Sequence, residues 1–263
     1  MALAAATLTS AIAVLLVVPE AKSTTTPERW RENMRGLFDI YRSRAFWQIA
    51  PLSACVIGTA FAVHGLWAAR WLTDVDLLSP ENVVFSLLAM GAGLTAGACV
   101  IGLCADLLRR LGVRSMTIFG WTCLVFMALQ LASLGRVRLP SWLLWGAIGS
   151  FGSMTVLSYS IIGELFPPEK IGRANGALNV LHLGMAFVLQ YGMGIVAAHW
   201  HPDLQGHLGV AAYRAAFALP LTLELLALTW FLLSFNAGRF GWTTAQAAHS
   251  GPEEANPTTE AAS

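Results

Sequence analysis

Three observations predict an all-α integral membrane protein. Only 12% of the 263 residues are charged while 56% are hydrophobic, about half the charged share of a soluble domain. Apolar stretches of about 20 residues, enough to cross roughly 30 Å of hydrocarbon, recur along the chain. Period-two alternation is absent, so these stretches read as helices and not as barrel strands.

Seven spans meet that criterion: 1–18, 45–69, 83–105, 115–135, 140–163, 174–198 and 213–235. The first, "MALAAATLTSAIAVLLVVPE", has no basic flank before its apolar run and does not read as a secretory signal. Residues 19–44 form a basic connection with Lys22, Arg29, Arg31, Arg35, Arg42 and Arg44. The second span closes on "FAVHGLWAARWL". The third and fourth are separated by "GLCADLLRRLGVRSM", and the fifth and sixth by "GELFPPEKIGR". The seventh carries Glu224, and residues 239–263 are a small-residue, polar and acidic tail that reads as disordered.

Basic residues orient the chain. Placing 19–44 in the cytoplasm puts 12 of the 16 Lys and Arg inside, with Arg70, Arg136, Arg138 and Arg214 outside. The N-terminus is then outside and the C-terminus cytoplasmic, with the cell (inner) membrane as the expected location. A net charge of +1 offers no field for nucleic acid. Cys55, Cys99, Cys104 and Cys123 show no CxxC spacing and read as small packing residues. His199, His201 and His207 cluster with Asp203 in one loop, but the spacing fits no tight ligand set, so no metal is predicted. No cofactor is expected either.

Between the third and fourth spans, Gly102 allows close helix approach and Gly112 a sharp reversal. Asp106 stands three and four residues before Arg109 and Arg110, within reach on one helix face. By physics alone this is a positive-inside turn with one acid. The stretch "GLCADLLRRLGVRS" resembles the cytoplasmic-loop signature of the major facilitator superfamily, G-x-L-A-D-R-x-G-R-R. Gly102, Ala105, Asp106, Arg109 and Arg110 match it; Leu107 stands where the family has arginine, and the second glycine is displaced to Gly112. "GELFPPEKIGRANGALNVLHLG", Gly163 to Gly184, resembles a second family stretch, E-x-F-P followed by G-R-x-x-G, two spans further on.

The resemblance covers about 19–240 and implies the central linker and last six spans of a twelve-span carrier. The expected fold is about seven transmembrane helices, with 45–238 forming one half of the bundle as two inverted three-helix repeats. Residues 1–18 then resemble the sixth span, and the chain is expected to be a fragment. It implies a gating latch built on Gly102, Asp106, Arg109, Arg110, Gly112, Arg114, Glu164 and Arg173. It also implies a partner: a missing or separately encoded N-terminal half, or a second copy, besides membrane lipids and a small-molecule solute.

Polar groups inside spans are functional candidates. His64 and Trp67 in the second span and Tyr159 in the fifth are candidates for touching substrate, since the resemblance makes those spans cavity liners. Arg70, near the outer end, either attracts an anionic solute or snorkels to headgroups. Asn175, Asn179 and His182 share one face of the sixth span. Glu224 has no basic partner in its helix and should be protonated, hydrogen-bonded or paired with another helix; it is the candidate for proton coupling. Gly93 and Gly97 form a GxxxG pair, and Gly146, Gly149 and Gly152 recur every third residue.

The leading expectation is a secondary active transporter working by alternating access. The alternative is a seven-helix receptor or sensor; its retinal-binding form lacks the required lysine, since Lys22 and Lys170 both lie in connections. No GxxxxGK[ST], HExxH or GxSxG occurs, so neither an ATP-driven pump nor an enzyme is expected.

Overall fold

A computed structural model describes residues 8–9, 27–204 and 206–238. The expected span 1–18, apart from Leu8 and Thr9, and the tail 239–263 lie outside the described residues. The chain divides into two units, 1–38 and 39–263, the second holding the bundle.

The described elements are α1 (Pro27–Arg42), α2 (Arg44–Asp74), α3 (Pro80–Arg110), α4 (Ser115–Leu134), α5 (Ser141–Gly152), α6 (Thr155–Leu165), α7 (Pro168–Ala197) and α8 (Val210–Gly238). No strand occurs among the described residues. Five helices there are long and apolar enough to cross a membrane: α2, α3, α4, α7 and α8.

The expected single span 140–163 is instead two helices of 12 and 11 residues. The break falls at Ser153–Met154. There the Ser153 hydroxyl takes the Ser150 carbonyl at 2.6 Å, and the backbone N–H groups of Ser153 and Met154 bond three residues back. A side chain that captures a carbonyl offers the backbone an alternative to the helical ladder. The second expected span also runs longer than 45–69: α2 continues to Asp74 through a π-helical turn at Val63–Trp67.

Helix ends follow local chemistry. Gly112, at φ +86°, closes α3: the Val113 N–H reaches the Leu108 carbonyl and the Gly112 N–H the Arg109 carbonyl. This is the paired C-terminal bonding that favours glycine in the left-handed region. Phe166 is extended ahead of Pro167, which ends α6, while Pro168 opens α7 where a missing N–H costs nothing.

α2 is the buried axis of the bundle and packs against α7 and α8. α3 pairs closely with α5, and the contact is backbone on backbone. A Cβ built on Gly97 would lie 2.2 Å from the Ser150 carbonyl oxygen, and one on Gly149 2.1 Å from that of Met90. α4 leans on α5, α6 and α8. α3 and α7 are the least buried spans, presenting Phe85, Leu88, Leu103, Val180, Phe187 and Tyr191 outward.

Candidate functional site

At the end of the bundle where α3 turns into α4, an i, i+3 spacing sets Asp106 and Arg109 on one face, and they form an ion pair. Arg109 also reaches across to α6, donating to Glu164 Oε1 at 3.3 Å and to Ser160 at 3.1 Å. The Ser115 hydroxyl, at the start of α4, donates to the same Glu164 oxygen. One carboxylate thus ties α3, α4 and α6 together. Arg110 and Arg114 are exposed, and Arg173 lies in the first turns of α7. Gly102 has open space around its Cα. Sequence reasoning named Asp106, Arg109 and Glu164 but missed Ser115 and Ser160, since contacts across 49 and 51 residues leave no local signal.

Midway along the bundle, Glu224 is fully buried and accepts a 2.8 Å hydrogen bond from Gln130 of α4. Thr59 of α2 also faces its carboxylate. The other Glu224 oxygen, Oε1, and Gln130 Oε1 have no partner among the described residues. Hydrogen bonding to a neighbouring helix is therefore the arrangement observed. The polar face of α7 is answered from two sides: His182 Nε2 meets the Ser53 hydroxyl at 2.8 Å, and Tyr159 donates to Asn179 at 3.2 Å. The Tyr159 and His182 rings lie 6.0 Å apart.

His64 sits in the π-helical turn, its Nδ1 on the Ala60 carbonyl at 2.8 Å and its Nε2 buried without a partner among the described residues. Trp67 does not stand open on the His64 stripe. It is 5% exposed and packs edge-on against Tyr213 and Phe217 of α8, because the extra residue of the π turn rotates the helix beyond it.

At the opposite end, the end of α2 carries a site that no local sequence pattern marks. Asp74 accepts from Tyr213 at 2.5 Å, from the Leu208 N–H at 3.3 Å and from His207 at 2.8 Å. Asp203 accepts the His207 backbone N–H at 2.9 Å. His207 is thereby used in tying the α7–α8 connection to α2. No group of three or more His, Cys, Asp or Glu suited to a metal occurs among the described residues. Arg70, one turn before Asp74, is exposed.

Apolar helices of spanning length and a charge cluster at the α3–α4 turn define a multi-pass membrane protein. The profile of the Major Facilitator Superfamily matches residues 1–189, nearly three quarters of the chain. The chain belongs to that superfamily, whose members are membrane transporters. A search of curated proteins finds no match.

Proposed function

We propose that this chain is one half of a secondary active transporter, moving a small solute by alternating access between two orientations of facing half-bundles. The observation that carries the reading is the Asp106–Arg109–Glu164 tie. Together with the Ser115 hydroxyl on the same Glu164 oxygen, it joins the ends of α3, α4 and α6 beside the loop matched by the family signature, where a two-state carrier must make and break contacts. Its side chains are about half exposed, so each bond is individually weak and reversible.

On the orientation set by the basic residues, this tie is cytoplasmic and the Asp74 site faces outward. The outward-turned faces of α3 and α7 supply one wall of a solute path, with Tyr159 and Asn179 as polar groups on it. The facing wall belongs to an N-terminal half encoded elsewhere or to a second copy of this chain. Glu224 is the carboxyl placed to carry a coupling proton, and the span at 1–18 serves as the sixth of the complete carrier.

The test is flux in proteoliposomes, read by an entrapped pH dye during a screen of small solutes under a proton gradient. Two preparations are compared: the chain as an isolated monomer, and the chain joined to the segment encoded upstream or to a tandem copy. The expected result is solute-dependent proton flux in the joined preparation only. Flux through the monomer overturns the half-carrier reading; no flux from either preparation across the screen overturns transport.

A further inference from the structure

The outward end of the bundle holds a recess of about 480 Å³ between α2, α7 and the connection leading to α8, within the range of small-molecule sites. Its chemistry is one-sided. Arg70, Trp67 and Gln190 line it beside Trp200 and Tyr213. Arg70 makes no hydrogen bond or ion pair among the described residues. The Trp67 indole N–H is buried and also lacks a partner there. The Gln190 amide nitrogen lies over Gly65, 2.9 Å from where a Cβ would stand.

Arg70 remains uncompensated for a structural reason. The acid best placed to neutralise it is Asp74, one turn further along the same face, at the spacing that favours an ion pair. That carboxylate is already engaged by Tyr213, His207 and the Leu208 N–H. The fold therefore engages the nearest acid elsewhere and leaves the guanidinium at the mouth of a recess whose exposed apolar lining is Leu66 and Trp200.

We infer that this recess is a binding site for an organic anion with an apolar or aromatic body, its anionic group on Arg70 and its body against Leu66 and Trp200. Guanidinium supplies paired donors for a carboxylate or phosphate, and amphipathic aromatics suit a ligand that is wet at one end. As a solute port, the site rests on the transporter reading; as a binding site, it does not. A lipid headgroup phosphate shares the same chemistry and is separated below.

Benzoate is titrated onto the full chain in phosphatidylcholine nanodiscs and followed by tryptophan fluorescence. Benzamide, the neutral counterpart, serves as the comparison. Saturable benzoate binding is expected, at least about tenfold tighter than benzamide, as a charge-assisted bond implies. Arg70→Gln should weaken benzoate by a similar factor, and Arg70→Lys by less. Arg214→Gln should leave it unchanged, because Arg214 at the same end bonds the Leu134 carbonyl instead. Equal binding of benzamide, no saturable binding, or an unaltered Arg70→Gln overturns the inference. Replacing part of the lipid with phosphatidylglycerol should leave benzoate affinity unchanged; competitive loss of binding assigns the recess to headgroups and overturns the solute site. Binding is read without flux, so its failure leaves the carrier test standing, and a failed carrier test leaves the recess intact.

Discussion

Replacing Gly97 by alanine should loosen the α3–α5 pair, and the size of the effect follows from the contact. The new Cβ would lie 2.2 Å from the Ser150 carbonyl oxygen and 2.5 Å from its Cα. Ordinary contact begins at 3.4 Å, so α3 and α5 must part by about 1.2 Å at this point. Neither neighbour is the tip of a flexible side chain; both are backbone, and a helix cannot yield locally without moving as a body. Overpacking of this kind costs about 1–3 kcal/mol, and the parted helices lose close C–H···O contacts worth about 0.5–1 kcal/mol each. Alanine returns about 1 kcal/mol through helix propensity, so a net loss of about 1–3 kcal/mol is expected. Gly91 is the internal control, on the same helix with open space around it. Gly91→Ala should be neutral or slightly stabilising. Thermal unfolding in detergent, followed by near-UV circular dichroism, compares the two variants and Gly149→Ala, which should behave like Gly97→Ala. If Gly97→Ala and Gly149→Ala match Gly91→Ala in stability, the backbone-on-backbone contact is wrong.

Two further outcomes test the buried Glu224 and the Asp74 site. Glu224→Gln should hold stability within about 1 kcal/mol by keeping an acceptor for Gln130, whereas Glu224→Ala strands a buried amide and opens a cavity, for a loss of about 2–5 kcal/mol; unfolding in detergent that finds the two variants equal would refute the Gln130 bond. The hydrogen bond to the Asp74 carboxylate raises the His207 imidazole above its ordinary value of 6.5. Charged His207 is thus favoured in the folded state, and its tie to α2 is complete below about pH 6.5 and lost as pH rises through the raised value. Hydrogen exchange at the Leu208 amide, corrected for its intrinsic pH dependence, should lose protection over that window, and His207→Gln should flatten the profile; an identical profile in the variant removes His207 from the tie.

What could be read from the chain depended on sequence distance. Gly93 and Gly97, four apart, announce a small-residue ridge, and the structure seats that ridge against α5. Asp106 and Arg109, three apart, announce an ion pair, and it forms. The break at Ser153–Met154 was not legible, because an apolar 24-residue run looks continuous unless a serine hydroxyl is known to take a carbonyl three residues back. The partners of Asp74 lie 133 to 139 residues away. No local pattern marks such an acid, and at a helix end it passes for an ordinary solvated charge. Trp67 departs from its expected stripe for a related reason. A regular 3.6-residue period placed it with His64, and one π turn between them was enough to bury it against α8.

The two ends of the bundle differ in how their charges are held, and the difference bears on mechanism. At the α3–α4 turn, Asp106, Arg109 and Glu164 are all substantially exposed and bonded by side chains alone. Water competes for each bond, so the tie can open at a cost of at most about 1 kcal/mol per pair. At the other end, the Asp74 side chain is 4% exposed and is held by a backbone N–H as well as by two side chains. Removing any one donor there leaves a buried carboxylate short of a partner, which is far more costly than losing an exposed pair. On the carrier reading proposed above, a half-bundle that moves as a body needs one end that releases readily and one whose internal geometry persists. The exposed tie suits the first role and the buried acid the second. On the proposed half-carrier reading, the buried Asp74 tie holds the end of α2 beside the Arg70 recess in one geometry, while the exposed pairs at the α3–α4 turn open at little cost.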